Sequence, residues 1–236
     1  MTTRPWSYRD GALELVGELY EPKGAPNGRA VLVVHEADGI GPNVRRRCEM
    51  LASMGYVAGA ADMHGGGRVL EADEIGQAMS RFRSDADLIR GRVQAAFGAL
   101  QAETGLPSSS VAAIGYCFGG YAVLELARSR VKARAVASFH GLLTTPRRAS
   151  PGEVHAPILV STGLMDPLVP DADVTAFEKE MSEAGADWHL LKHARAYHSF
   201  TNATVDRLAD ARMRYDPVAD AVSWSALISF LEVTGR

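Results

Sequence analysis

From Ala12 to Tyr20 apolar and polar side chains alternate (ALELVGELY), the period-two pattern of a strand with one face in a core. Arg9-Asp10-Gly11 just before it has the composition of a tight turn, which predicts an antiparallel hairpin with Trp6 to Tyr8. Farther along, the pattern changes. Ala30 to Val34 and Tyr56 to Ala61 are continuous apolar runs, as expected of strands covered on both faces. Between them Asn43 to Met54 has helical spacing and stops at Gly55, a residue suited to a helix C-cap. Met63 to Glu74 holds three consecutive glycines and reads as a flexible loop, and Ile75 to Leu100 as helix with a break near Ser84. Val111 to Tyr116, Arg134 to Phe139, Ile158 to Thr162 and Trp188 to Lys192 supply further strands. Helices are predicted over Phe118 to Ser129, Asp171 to Ala184 and Val218 to Val233, the last placed behind Pro217, a favoured first helical residue.

Strand and helix therefore alternate almost throughout, which predicts an α/β fold: a mostly parallel central sheet flanked by helices, with an N-terminal antiparallel hairpin. No repeat, low-complexity tract or linker interrupts the pattern, so residues 1–236 are expected to form a single domain. The apolar stripe Val218, Val222, Leu227, Phe230 and Leu231 is expected to face the core.

Composition narrows the function classes. The net charge is −3, from 25 basic and 28 acidic residues, which leaves no basic surplus for a nucleic-acid surface. The longest apolar stretch, Val111 to Ala127, carries only Glu125 but has Gly115, Gly119 and Gly120 in its middle. It reads as strand, turn and helix rather than a membrane span. Met1 to Asp10 has no apolar leader segment, and two cysteines are too few for a disulfide framework, so a cytoplasmic location is expected.

Candidate chemistry begins at Gly115-Tyr116-Cys117-Phe118-Gly119-Gly120. A G-x-C-x-G between a buried strand and a helix is the nucleophile-elbow pattern with cysteine in place of serine. The sharp turn needs small residues two positions either side, and Gly115 and Gly119 meet that need. The bland alternative is a structural cysteine among packing glycines. An acid and a base follow in the chain order this fold requires. Asp166 lies in the loop after Ile158 to Thr162, and His198 in the loop after Trp188 to Lys192. His198 would take the thiol proton while Asp166 holds the other ring nitrogen.

With these residues in place the chain resembles the dienelactone hydrolase family of the α/β-hydrolase superfamily. The likeness runs from about Tyr8 to the C-terminal helix and rests on His35-Glu36 with Gly39, the Gly-Tyr-Cys-Phe-Gly-Gly elbow, Asp166-Pro167-Leu168-Val169-Pro170, and His198-Ser199-Phe200. The resemblance implies a Cys117–His198–Asp166 triad acting on a small-molecule ester or lactone through a thioester, without metal or organic cofactor. It implies that Glu36 contacts the resting thiol, and that the backbone N–H groups of Phe118 and Ala37 form the oxyanion hole. The family binds a substrate carboxylate with arginines, one of them four residues after the histidine; here that residue is Asn202. Arg68, Arg81 and Arg83 are candidates for the family's other arginine by proximity only, so the substrate-binding residues stay unassigned.

Several other features read as structural. His35-Glu36 lacks the second histidine of a zinc motif. Cys48 has nothing nearby to activate it, Arg45-Arg46-Arg47 reads as a solvated helix face, and His155, His189 and His193 show no metal-ligand spacing. Within the superfamily a general esterase or peptidase is the rival reading. From another class the rival is a non-catalytic or redox-sensing protein using Cys117 as a reactive thiol. A monomer and a homodimer fit equally.

Overall fold

The structure, a computed structural model, describes residues 1–234. The N-terminal hairpin pairs β1 (Thr2–Asp10) with β2 (Leu13–Glu21) through Gly11. It is longer than the alternation predicts, because Thr2 to Pro5 point into solvent and leave no apolar period; only Trp6 and Tyr8 of β1 are buried. β3 (Ala30–Val34), β4 (Val57–Ala61), β5 (Val111–Tyr116), β6 (Val136–Phe139), β7 (Ile158–Gly163) and β8 (Trp188–His193) complete one eight-stranded sheet. Its order is β1-β2-β4-β3-β5-β6-β7-β8, antiparallel at β1-β2 and β2-β4 and parallel from β4 to β8.

β3 and β5 are buried along their whole length, and alternate side chains feed two cores. Leu32, Val34 and Ala113 pack on the side covered by α2 (Ala72–Ser84), α3 (Ala86–Thr104), α4 (Phe118–Ala127) and α5 (Asp171–Glu183). Val31, Val33 and Ile114 pack on the side of α1 (Pro42–Ser53) and α6 (Pro217–Val233). Each such leucine, valine or isoleucine contributes roughly 1.5–3 kcal/mol by leaving water. The expected break in the long helix falls at Asp85, whose carboxylate accepts from the N–H groups of Asp87 and Leu88 and so caps α3. α2 begins at Ala72, earlier than predicted, because Glu71 and Glu74 form a capping box.

Three sequence expectations need correction. On α6, Leu227, Phe230 and Leu231 are buried as expected, but Val218 is 70% exposed and Val222 49% exposed. The polar residues that face inward instead are Asp220 and Ser223. The arginine triplet is solvated only in part: Arg45 is exposed as expected, but Arg47 is 1% exposed and ion-paired with Asp220. The glycine run after β4 is not a loose loop either. The Asp62 carboxylate accepts from the N–H groups of Val16, His64, Gly65 and Gly67, at 2.7–2.9 Å. Burial alone would raise the Asp62 pKa, and those four donors outweigh it and lower it. The glycines thus do cradle an anion, one belonging to the chain itself.

Candidate active site

Cys117 sits between β5 and α4 with φ 53° and ψ −114°, a strained conformation for a residue with a side chain. The neighbouring glycines make it possible. A Cβ on Gly115 would lie 2.0 Å from the Gly119 carbonyl oxygen, and one on Gly119 would lie 2.2 Å from that of Val34. The turn is thereby pressed against the end of β3. Cys117 N–H is shared between the Phe139 carbonyl (3.0 Å) and Nδ1 of His140 (3.1 Å). The sulfur lies at the N-terminus of α4, where free N–H groups favour negative charge.

The structure brings Asp166 and His198 to that sulfur. His198 Nε2 is 3.0 Å from Cys117 Sγ, and His198 Nδ1 is 2.7 Å from Asp166 Oδ2. Asp166 Oδ1 accepts from Leu168 N–H, fixing the carboxylate just beyond the end of β7. The His198 loop is held by main-chain bonds to Arg212 and Arg214. Burial pulls the His198 pKa down, but charge on Cys117 and the bond to Asp166 outweigh it and raise it to about 10. Cys48, by contrast, is buried in α1, and burial pushes its thiol pKa well up, out of a nucleophile's range.

Glu36 is held by the residue four positions after His198. Its Oε2 accepts from Asn202 Nδ2 at 2.9 Å, while the hydrogen-bond partner of the thiol is His198. Asn202 Oδ1 is engaged by both N–H and Oγ1 of Thr204, which turns the amide donor toward Glu36. The residue that replaces an arginine is thus a clamp on the glutamate. Glu36 Oε1 is enclosed without a hydrogen-bond partner among the described residues. Burial, then repulsion from Asp38, raises the Glu36 pKa from 4.5 to about 7 against the opposing pull of His198 and Asn202. Between those two values the folded protein keeps a proton that the unfolded chain has released, so this group costs stability as pH rises from 4.5 to 7. Glu36→Gln is expected to match the wild type near pH 4.5 and to exceed it by on the order of 1–3 kcal/mol at pH 8. Urea unfolding at the two pH values measures it; an unchanged difference between them would refute the assignment.

The N–H groups of Ala37 and Phe118 have no acceptor among the described residues. Both residues touch His64, whose Nε2 is 3.0 Å from the Ala37 carbonyl oxygen and whose ring stacks on Phe118. A recess of about 530 Å³ opens beside them, lined by His64, Leu70, Phe82, Arg68, Arg81 and Arg92. A second recess of about 520 Å³ lies away from Cys117, and four of its arginines are already paired: Arg90 with Glu125, Arg128 with Glu125 and Glu180, Arg130 with Glu153, Arg147 with Asp87. Among the described residues no group of three or more His, Cys, Asp or Glu side chains could hold a metal ion, and no helix is long and apolar enough to cross a membrane.

Sequence reading missed His140 and the groups behind it. His140 follows β6 directly, at the carboxyl end of a sheet strand where such folds place ligands, and that position was the available signal. Its Nδ1 accepts from Cys117 N–H, so Nε2 carries the proton and donates to Thr201 Oγ1 at 2.8 Å. Burial and the neighbouring His198 charge hold its pKa well below the ordinary value, so the ring is neutral. Thr201 O in turn accepts from Arg46 and Arg47.

A sharp elbow at the end of a central parallel strand, with the acid and histidine on loops after later strands, defines the α/β-hydrolase fold. The chain matches the dienelactone hydrolase family over residues 15–234 and belongs to it, which makes it an enzyme of the carboxylic ester and lactone hydrolase class. Among solved structures, a dienelactone hydrolase-like promiscuous phosphotriesterase from metagenomic libraries has TM-score 0.89 and 36% identity, covering 99% of this chain and 98% of that one. A protein designated m3DLH has TM-score 0.91 and 33% identity, covering 98% and 97%. A protein of Synechocystis sp. named "Putative carboxymethylenebutenolidase" is 27% identical over 229 residues, 90% of this chain and 89% of its own length.

Proposed function

We propose that the chain hydrolyses small-molecule esters or lactones with Cys117 as nucleophile, His198 as base and acid, and Asp166 as the group that orients and stabilises the imidazolium. The observation that carries this reading is the unbroken line from Asp166 Oδ2 through His198 to Cys117 Sγ, at 2.7 and 3.0 Å, on a strained elbow. The thiolate attacks the carbonyl carbon, and the oxyanion forms against the free N–H groups of Ala37 and Phe118. His198 gives its Nε2 proton to the leaving oxygen as the carbon–oxygen bond breaks, leaving a thioester on Cys117. Water, deprotonated by His198, attacks the thioester, and the acid departs with the thiol restored. Each oxyanion donor is expected to supply about 3–4 kcal/mol, because it faces charge that exists only in the tetrahedral intermediate.

Asn202 narrows the substrate. Its amide is spent on Glu36 and Thr204, so the position four residues after His198 presents no cation to a substrate carboxylate. Uncharged esters and lactones fit this end of the site better than a dienelactone acid. The relatives' names suggest the panel: an enol lactone and a phosphotriester beside simple aryl esters.

The decisive experiment is reaction with p-nitrophenyl acetate, followed by chromophore release and by mass spectrometry of each cysteine. Transient acetyl on Cys117, with turnover lost in Cys117→Ala, is the expected result. Equal turnover in both proteins, or acetyl on Cys48 alone, would overturn the assignment. A protein that only senses oxidants would show modified Cys117 but no turnover dependent on His198.

A further inference from the structure

His35 is a fully buried histidine at the end of β3, one residue before Glu36 and two before the proposed oxyanion donor Ala37. Its two ring nitrogens are both used. Nε2 lies 3.1 Å from the N–H of Met63 and can only accept from it. A neutral imidazole that accepts at Nε2 carries its proton on Nδ1, and Nδ1 lies 2.5 Å from the Glu36 carbonyl oxygen. Burial drives the His35 pKa down to about 3, with the neighbouring His64 adding to the effect, so the ring stays neutral at any ordinary assay pH. The Met63 amide, not the pH, sets its tautomer.

The carbonyl that His35 grips and the N–H of Ala37 are the two ends of one peptide unit. We propose that His35 is a positioning residue for the oxyanion hole, donating to the Glu36 carbonyl so that the Ala37 N–H at the other end is aimed and strengthened as a donor to the reaction's oxyanion. The inference rests on the Cys117 hydrolase reading and adds to it a residue that touches neither substrate nor thiol. The chain of groups is Met63 N–H to His35, His35 N–H to the Glu36 carbonyl, and Ala37 N–H to the developing charge. Each bond polarises the next in the same direction. Gly39 N–H also reaches the Glu36 carbonyl, at 3.4 Å, but too distantly to replace the shorter bond. On the far side of Ala37, His64 holds the next carbonyl at 3.0 Å, so the Ala37 backbone is pinned through both flanking peptides. A packing role alone does not call for histidine, since an apolar ring would fill the same volume without burying two polar nitrogens.

Two near-isosteres separate the ends of the ring. In His35→Asn the amide nitrogen takes the place of Nδ1 and keeps the donor to Glu36; in His35→Gln the terminal amide reaches the Nε2 position and keeps a partner for Met63. His35→Phe removes both. Turnover of p-nitrophenyl acetate is read beside the rate at which iodoacetamide alkylates Cys117, a reaction at a saturated carbon that forms no oxyanion. The expected result is a loss of about tenfold or more in kcat for Gln and Phe, smaller than deleting a donor outright. KM and the alkylation rate should stay within about twofold, and Asn should stay within about threefold of wild type. Alkylation that falls in step with kcat would show a disturbed triad and overturn the proposal, as would equal losses in Asn and Gln with the wild type active. A wild type without Cys117-dependent turnover would instead overturn the hydrolase reading beneath it.

Discussion

Alanine at Cys117, at His198, or at both is expected to lower p-nitrophenyl acetate turnover by one and the same factor, on the order of 10⁴ or more. Independent contributors would multiply. In the proposed mechanism these two do not, because neither has a task without the other: the sulfur would be a nucleophile when His198, 3.0 Å away, carries its proton, and that proton would be the one later given to the leaving oxygen. The double variant should therefore be no worse than either single one. Some rate above the uncatalysed reaction should survive in all three, since the free N–H groups of Ala37 and Phe118 are untouched. A product of two separate losses in the double variant would show that His198 and Cys117 act in different steps. The pH profile gives a second check. With the His198 pKa raised to about 10, chiefly by Cys117 and Asp166 against the cost of burial, His198 keeps its proton across neutral pH. Turnover should then fall only as pH rises through about 10, where His198 loses the proton that the proposed mechanism gives to the leaving oxygen, and the residual rate of His198→Ala should lack that fall.

Most of this site is legible in the sequence because its parts are local. Gly115 and Gly119 flank Cys117 within five residues, and Asp166 and His198 each follow a strand that its own apolar run reveals. What escapes is whatever depends on a partner far along the chain. The Arg45-Arg46-Arg47 triplet looks solvated because the carboxylate that answers Arg46 and Arg47 is Asp220, 173 residues beyond Arg47. Asn202 looks like a gap in a binding site until Glu36 is found 166 residues earlier, held by its amide. Val218 and Val222 fit an apolar stripe, yet α6 turns Asp220 inward to meet Arg47, with Ser223 bonded back to the Asp220 carbonyl, and that ion pair overrides the hydrophobic period at the start of the helix.

The same pairing connects the His198 loop to the core. Arg47 lies against the rings of Tyr116 and Trp224, at 5.4 and 5.0 Å, so one guanidinium joins the strand that ends at the elbow to α6. It also donates to the Thr201 carbonyl, three residues beyond His198, as does Arg46. Thr201 then presents its hydroxyl to His140, which holds the backbone N–H of Cys117. Cys117 and His198 are thus tied to one another through the interior as well as by their direct contact.

Removing the carboxylate at the root of that connection should have a large effect on stability. Asp220→Ala leaves the Arg47 guanidinium buried without its counter-ion; among the described residues Arg47 Nε already lacks a hydrogen-bond partner, and the Thr201 carbonyl and the two rings remain. A buried charge deprived of its partner typically costs about 3–5 kcal/mol, so the urea midpoint should fall sharply with little change in slope. The double variant Arg47→Met, Asp220→Leu removes both charges and should recover most of the loss, because the single-variant cost comes mainly from the uncompensated guanidinium. It should not recover the catalytic rate in full, since Thr201 would then keep only Arg46 as a donor to its carbonyl and the His198 loop would be held less tightly. An Asp220→Ala protein within about 1 kcal/mol of wild type would mean that water reaches Arg47 and that the pair acts as a surface one. A double variant as unstable as the single one would mean that α6 is held by the ion pair itself rather than by the packing of Leu227, Phe230 and Leu231.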